Sequence, residues 1–434
     1  MIKLKSIITN YPEFSRFREN IFTGTSLSIR GISGSFQSFV INYLFELFDN
    51  TLLVIISDTE KAEKLTDDLQ SLMPRDSVHY FPQAETLPSD KGTFTPAIHS
   101  SRLKALISIL EKPASIIVTT PVGLIRRIDP PETIQNQVSY LKVGDTIDRE
   151  FLIEWLVEAG FERMPTIEEI GQFSVRGGII DVFSLEAEAP FRVELFDDTI
   201  ESIREFDILS QLSLKKLEKI RITGRTESSS NNASLFDYLP EGALLYWDDK
   251  LHIERIIKDW LEHAETIQAS SDSEEFSLES AYLSRENIEH LSVNYRQVFQ
   301  EHLQTTNPEI LDFNTQGPQS FGGNLKLFTK YLDKKFSRRN RQENAVYVVY
   351  ETPARRERLE EMILAEMGWL PPVNFIQGDI HNGFYLPGKS TEVLTEHEIF
   401  DRVKARKNRR KLKVSGSIIR QLNSLQIGDY VVHV

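Results

Sequence analysis

An eight-residue run, Gly31-Ile-Ser-Gly34-Ser-Phe36-Gln37-Ser38, has the outline of a loop built to cradle phosphate. A working loop of that kind reads G-x-x-x-x-G-K-[ST]; its lysine reaches the β- and γ-phosphates and its hydroxyl holds magnesium. Gly31 supplies the first glycine, Gly34 lies within the turn and Ser38 supplies the hydroxyl. Phe36 stands in the place of the second glycine and Gln37 in that of the lysine. A phenyl ring crowds the backbone where phosphate must approach, and an amide brings no positive charge. One charged phosphate contact contributes about 1.5–3 kcal/mol, and no nearby lysine replaces it. On spacing alone such a run is more commonly a tight turn opening a helix. It has the shape of a nucleotide loop without its chemistry, so neither binding nor hydrolysis of ATP is expected from residues 31–38.

A second feature of that kind is Leu239-Pro-Glu-Gly-Ala-Leu-Leu-Tyr-Trp-Asp248-Asp249-Lys250, which contains a strand-like segment ending on two carboxylates as a magnesium-binding strand does. Paired aspartates at a strand end more commonly make a turn. With no lysine opposite them, they receive no catalytic role. Cysteine is absent, which excludes disulfides, thiolate zinc sites and cysteine nucleophiles. The nine histidines show no pair at metal-ligand spacing, and the acids form no arrangement that marks an acid/base pair. No catalytic residue, metal or resident cofactor is expected.

The remaining chemistry is that of recognition. Ile179-Ile-Asp-Val-Phe183 and Arg192-Val-Glu-Leu-Phe196 alternate, Asp197-Asp198 supplies a hairpin turn, and Ile200-Glu-Ser-Ile-Arg204 follows, so residues 173–206 read as an antiparallel meander. In the middle strand Arg192, Glu194 and Phe196 share one face and Val193 and Leu195 the other. The aliphatic pair must face the core, so Arg192 and Phe196 are expected to face solvent together. An exposed aromatic beside an arginine on a rigid sheet has the composition of an interface hot spot. Arg176 is expected to join them, with Gly177-Gly178 allowing unusual torsions. The plainer alternative is a solvated arginine face with Phe196 under a loop.

These groups need elements to hold them. From residue 28 to about 128, strand-like and helix-like segments alternate. Ser28–Arg30, Thr51–Ile56, Val78–Phe81 and Ser115–Thr119 are the strands, and their β-branched runs suit a parallel sheet covered on both faces. Phe313–Gly323 reads as a linker into a further α/β unit, with strands at Ala345–Tyr350, Asn374–Ile376 and Thr391–Leu394 and a helix at Pro353–Gly368. Polar stretches at Thr226–Ser234 and Ser270–Glu275 read as exposed loops. Basic clusters at Lys334–Arg341 and Arg402–Lys413 are either solvated linkers or tracks for phosphate or an acidic partner. The chain has 434 residues, which predicts about three compact units, and a net charge of −14, so any nucleic-acid contact must be local. No apolar run has the length of a membrane span and the start shows no signal-peptide pattern, which predicts a soluble cytoplasmic protein.

Gly171-Gln-Phe-Ser-Val-Arg176-Gly-Gly-Ile-Ile-Asp181-Val-Phe183, leading into Pro190-Phe-Arg192-Val-Glu194-Leu-Phe196-Asp197-Asp198 and on to Asp207, is similar to a module shared by the repair protein UvrB and the transcription-repair coupling factors (Mfd). Phe81-Pro-Gln-Ala-Glu85-Thr-Leu-Pro88, Ser100-Ser-Arg102-Leu103 and the end, Leu422 to Val434, resemble the coupling factors rather than UvrB. So does the degenerate loop, since UvrB keeps its lysine there; nor has Phe81–Ser101 room for UvrB's long damage-probing hairpin. One departure is Ser210-Gln211-Leu212-Ser213, where the family commonly carries a Thr-Gln-Arg-Ser type of turn. The resemblance implies a multidomain α/β fold of UvrB-like layout. A degenerate P-loop parallel-sheet domain (1–130 and 209–320) would carry an inserted, mostly antiparallel α+β UvrA-binding domain (131–208). A small species-variable α/β domain (321–400) and a basic linker entering an RNA-polymerase-interacting domain (401–434, from near residue 418) would follow. It implies UvrA as partner through Arg176, Arg192 and Phe196, RNA polymerase as a second partner, and DNA translocation by an ATP-driven motor beyond this stretch. The rival reading is an ATP-dependent helicase-like or UvrB-type damage-binding enzyme acting through residues 31–38.

Overall fold

The computed structural model describes residues 1–83, 95–112, 114–224, 232–270, 277–302, 310–336 and 345–401. Glu85-Thr-Leu-Pro88, the basic runs Arg338–Arg341 and Arg402–Lys413, the segment from 418, and most of both polar stretches lie outside the described residues. The chain divides into two compact units. The second is centred on Ile128–Ala233, and the first is built from the sequence on either side of it.

After two helices, Ile2–Thr9 and Pro12–Thr23, the first unit continues with β1 (Ser26–Arg30), β2 (Leu52–Ile55), β3 (Val78–Phe81) and β4 (Ile116–Thr119), the strand order that the sequence pattern predicted. β2 and β4 are buried at every position, which is why they show no polar alternation. Helices intervene, as parallel pairing requires. That of Thr59–Leu72 begins where the Asp58 carboxylate accepts from the Lys61 backbone N–H at 2.9 Å. That of Phe36–Phe48 ends on Asp49 in the left-handed region.

The second unit carries β5 (Val138–Lys142), β6 (Glu162–Arg163), β7 (Gln172–Arg176), β8 (Ile179–Val182), β9 (Phe191–Phe196), β10 (Thr199–Phe206), β11 (Ser213–Leu217) and β12 (Lys219–Thr223). Strands β11-β10-β9-β8-β7-β6 form one sheet in that order, antiparallel except for β6 with β7. The predicted meander is present, with Asp197 at φ 52° in its hairpin. Val193, Ile180 and Ile203 on one face pack with Leu152, Ile153 and Leu156 of the helix Arg149–Glu158. The segment expected to close at residue 208 continues through β12. That strand pairs antiparallel with β5 from Lys219↔Lys142 to Thr223↔Val138 and so belongs with the module rather than with the parallel sheet.

Back in the first unit, β13 (Leu244–Asp248), β14 (Arg296–Glu301) and β15 (Leu311–Asp312) complete a seven-stranded parallel sheet, order β15-β1-β14-β13-β2-β4-β3. β16 (Ala345–Tyr350), β17 (Asn374–Gln377), β18 (Phe384–Leu386) and β19 (Thr391–Leu394) form a four-stranded sheet, order β17-β16-β19-β18. Tyr347, Val349, Phe384 and Val393 on one face belong to the same apolar core as Phe36 and Phe39, while Val346, Val348 and Leu394 on the other pack with Phe328, Leu332, Leu359 and Ile363 in a core of its own. The expected linker at Phe313–Gly323 is likewise a packed segment. Phe313 and Phe321 are buried, and Gln316 exchanges backbone hydrogen bonds with Tyr385.

Candidate functional site

The glycine loop sits at the carboxyl end of β1, where open parallel sheets hold ligands. Here the protein itself occupies that crevice. Gly31 and Gly34 take φ of 72° and 56°, and a Cβ on either would collide, with Asp312 at the first and the Gly383 carbonyl at the second. The loop N–H groups are engaged from the same directions: Ser33 donates to Thr315 Oγ1 at 2.8 Å and Ser35 to the Asn382 carbonyl at 3.4 Å. Ser38 is buried and its hydroxyl donates to the Ser35 carbonyl at 2.6 Å. Phe36 has no exposed surface. Its ring lies 5.9 Å from that of Phe14, 5.5 Å from Phe313 and 5.4 Å from Phe384. Phe36 thus pins the first turn of its helix into the core.

Gln37 and Asp248, more than two hundred positions apart in sequence, come together. The Gln37 amide donates to Gln300 Oε1 at 3.1 Å and to Asp248 Oδ1 at 3.4 Å. Gln300, directly across from Asp248 in the β13–β14 register, donates to the same carboxylate oxygen at 3.1 Å and accepts from the Tyr246 hydroxyl. His302 closes the network on Asp248 at 2.7 Å. The Gln37 and Gln300 amides, the His302 imidazole and the Asp248 carboxylate are thus bonded to each other. Asp249 takes φ 62° and makes the turn that paired aspartates commonly make.

The hydrogen bond to Asp248 raises the His302 pKa, burial opposes it, Asp248 and Asp249 add to it by charge, and Lys61 acts against it. A folded pKa above the unfolded value of about 6.5 means that the stabilisation is full below that pH. It is lost as pH rises through the folded value. The imidazole is 43% exposed, so solvent screening keeps the contribution below about 1 kcal/mol. His302→Gln is expected to flatten the fall in melting temperature of the first unit between pH 6 and 8; an unchanged slope would refute this origin.

In the second unit one face of the sheet lies opposite the helix-packed core. Its cross-strand row runs Ser174, Asp181, Arg192, Arg204 and Lys216. Phe196, at the end of β9 on that face, is 71% exposed, as the alternation predicted. Arg176 is half-exposed and its Nη2 donates to Asp181 Oδ2 at 2.7 Å.

Arg192 differs from the expectation of a solvent-facing fork. Its side chain is only 16% exposed. Nε donates to Asp181 Oδ1 at 2.7 Å, and Nη2 donates to Asp181 Oδ2 and to Gln211 Oε1, each at 2.9 Å. The guanidinium also stacks over the Phe206 ring, 4.3 Å from its centroid. The physical reason lies outside β9 itself. β10 shifts register between Glu205 and Phe206, and the turn after it folds back so that Gln211, at φ 59°, lies against the arginine. Arg176 and Arg192 therefore share one carboxylate, a bidentate fork for the second, and those bonds hold the Arg192 guanidinium above its already high pKa.

Asp181, Gln211 and Phe206 are the residues of this face that motif reading left out. Asp181 had a signal: it sits at the alternate position of β8 that must face Arg192. Gln211 lies in the turn after β10, and nothing in local periodicity places that turn over β9.

Residues 140–227 match the UvrB interaction domain family, a span that includes β7 to β12. The transcription-repair-coupling factor of Bacillus subtilis is 26% identical over 100% of this chain and 43% of its own length. That of Staphylococcus aureus is 24% identical over 99% of this chain and 43% of its own. The chain thus spans about 43% of the length of the curated relatives it matches. A parallel-sheet unit interrupted in sequence by an antiparallel α+β unit, with the interaction domain falling in the interruption, is the UvrB-like layout. The chain carries a UvrB interaction domain and is similar from end to end to the transcription-repair-coupling factors.

Proposed function

We propose that this chain is the UvrA-recruiting adaptor region of a transcription-repair coupling factor, bringing UvrA to stalled RNA polymerase in nucleotide excision repair. UvrA docks on the outer face of the β7–β11 sheet, with Phe196 and Arg176 as the accessible contacts and Arg192 behind them. The observation that carries the reading is a large aromatic left 71% exposed on a rigid sheet, next to arginines, inside the matched interaction domain. RNA polymerase binds through the segment from near residue 418, and the ATP-driven DNA translocase motor belongs to the remaining length of the complete protein. A cytoplasmic location suits this work; among the described residues no helix is long and apolar enough to cross a membrane.

Phe196→Ala is expected to weaken UvrA binding by roughly 2 kcal/mol, about thirtyfold, with an unchanged melting temperature. Raising salt should weaken the parent complex only in part, because an aromatic contact is not screened. A folded Phe196→Ala variant that binds UvrA like the parent would place the interface elsewhere.

Residues 31–38 take no nucleotide in this reading. The N–H groups of Ser33, Ser35, Phe36 and Ser38 already have protein acceptors, Gln37 carries no charge and Phe36 fills the approach. Calorimetric titration of the chain with Mg-ATP is expected to give no binding heat; micromolar affinity would favour the rival, an ATP-using enzyme.

A further inference from the structure

We infer that Asp181 is a positioning residue of the docking face: one buried carboxylate clamps Arg192 against the sheet and presents Arg176 outward to a carboxylate of the partner. The inference rests on the UvrA-docking reading and says how that face is prepared. Asp181 is 3% exposed, yet it stands on the sheet face away from the helix-packed core, across from Ser174 on one side and Arg192 on the other. A buried carboxylate is costly to desolvate, and an apolar residue there would avoid that cost and leave the core of the other face untouched. What only the carboxylate can do is fix two guanidinium groups at once. Arg192 uses both Nε and Nη2 on it, while Arg176 uses Nη2 and keeps its other donors at a half-exposed side chain. A free arginine loses considerable rotamer entropy when it engages a partner; one already held in plane loses less. Gln211 and the Phe206 ring secure Arg192 from its other sides, so the clamp has one geometry. The partner chemistry that fits is a carboxylate for the open edge of Arg176 next to an apolar recess for Phe196.

The test is a double-variant cycle on the 434-residue chain, with purified UvrA affinity and folded fraction measured for Asp181→Asn, Arg176→Ala and the pair. Asparagine keeps the size and removes the charge and one acceptor. Each single variant is expected to lose about tenfold in affinity per folded molecule, and the pair little more than either alone, because both remove the same prepared group. An additive, roughly hundredfold loss in the pair would overturn the inference, since a merely structural Asp181 acts independently of Arg176. So would parental affinity in a folded Asp181→Asn variant while Phe196→Ala binds weakly; that result leaves the docking reading standing. If Phe196→Ala and Arg176→Ala both bind normally, the docking reading falls and the inference with it. Should Asp181→Asn not fold, Arg176→Lys decides. It keeps the charge without the planar fork, and affinity equal to the parent overturns the inference.

Discussion

Phe36→Ala is expected to destabilise the first unit by about 3–5 kcal/mol, the range of phenylalanine truncations in packed cores. The ring has no exposed surface and touches aromatic rings from three separate parts of the chain: Phe14, from the N-terminal helix Pro12–Thr23; Phe313, just after β15; and Phe384, on β18 of the small sheet. Neighbours drawn from three segments cannot all relax into one cavity, which puts the cost toward the upper end. Urea unfolding followed by a first-unit probe, such as the fluorescence of the buried Trp247, checks this. A loss below about 1 kcal/mol would mean that the ring is not the fastener proposed. Pairing Phe36→Gly with Gln37→Lys rewrites the nucleotide motif but creates the same cavity. It is therefore expected to give an unstable protein rather than an ATP site.

Arg192→Ala is expected to cost the second unit about 2–4 kcal/mol of stability, because removing one partner strands a buried charge. The variant leaves Asp181, 3% exposed, with Arg176 as its remaining ion-pair partner and strips Phe206 and Gln211 of the group they enclose. Reading β9 by itself predicted a solvent-facing side chain; the bidentate pair and the turn at Gln211 cover it instead, which is why its loss is expected to reach stability. Arg192→Lys is expected to recover only part of the loss, since one ammonium cannot span both carboxylate oxygens. Thermal unfolding of the parent, Arg192→Ala and Phe196→Ala side by side separates the roles. Arg192→Ala should lower the second-unit transition and Phe196→Ala should leave it in place, while both weaken UvrA binding. Equal melting temperatures for all three would show that the clamp contributes nothing to stability.

Local pattern was enough to determine β1 to β4, among which the apolar runs of β2 and β4 follow from burial on both faces, and the meander, whose alternation follows from burial on one, but not β14, whose polar run Arg296–Glu301 carries no such signal. It also determined which residues of β9 share a face, because that depends only on side-chain period, and it raised the expectation that Phe36 and Gln37 do not serve a phosphate. Tertiary structure alone decided what those residues do instead. Phe36 became a core fastener because Phe313 and Phe384 arrive from hundreds of residues away, and Gln37 became a link to Asp248 because strand order sets β14 between β1 and β13. The extent of the inserted module was decided by β12 returning to β5, a pairing across some eighty residues that no local signal marks. Arg192 shows the division most sharply. Alternation put it on the correct face of the sheet, and a register shift in β10 with the turn at Gln211 decided that this part of the face is covered. A strand's period reports which way a side chain points. What meets it there depends on contacts between residues distant in sequence, and those are set only when the chain folds.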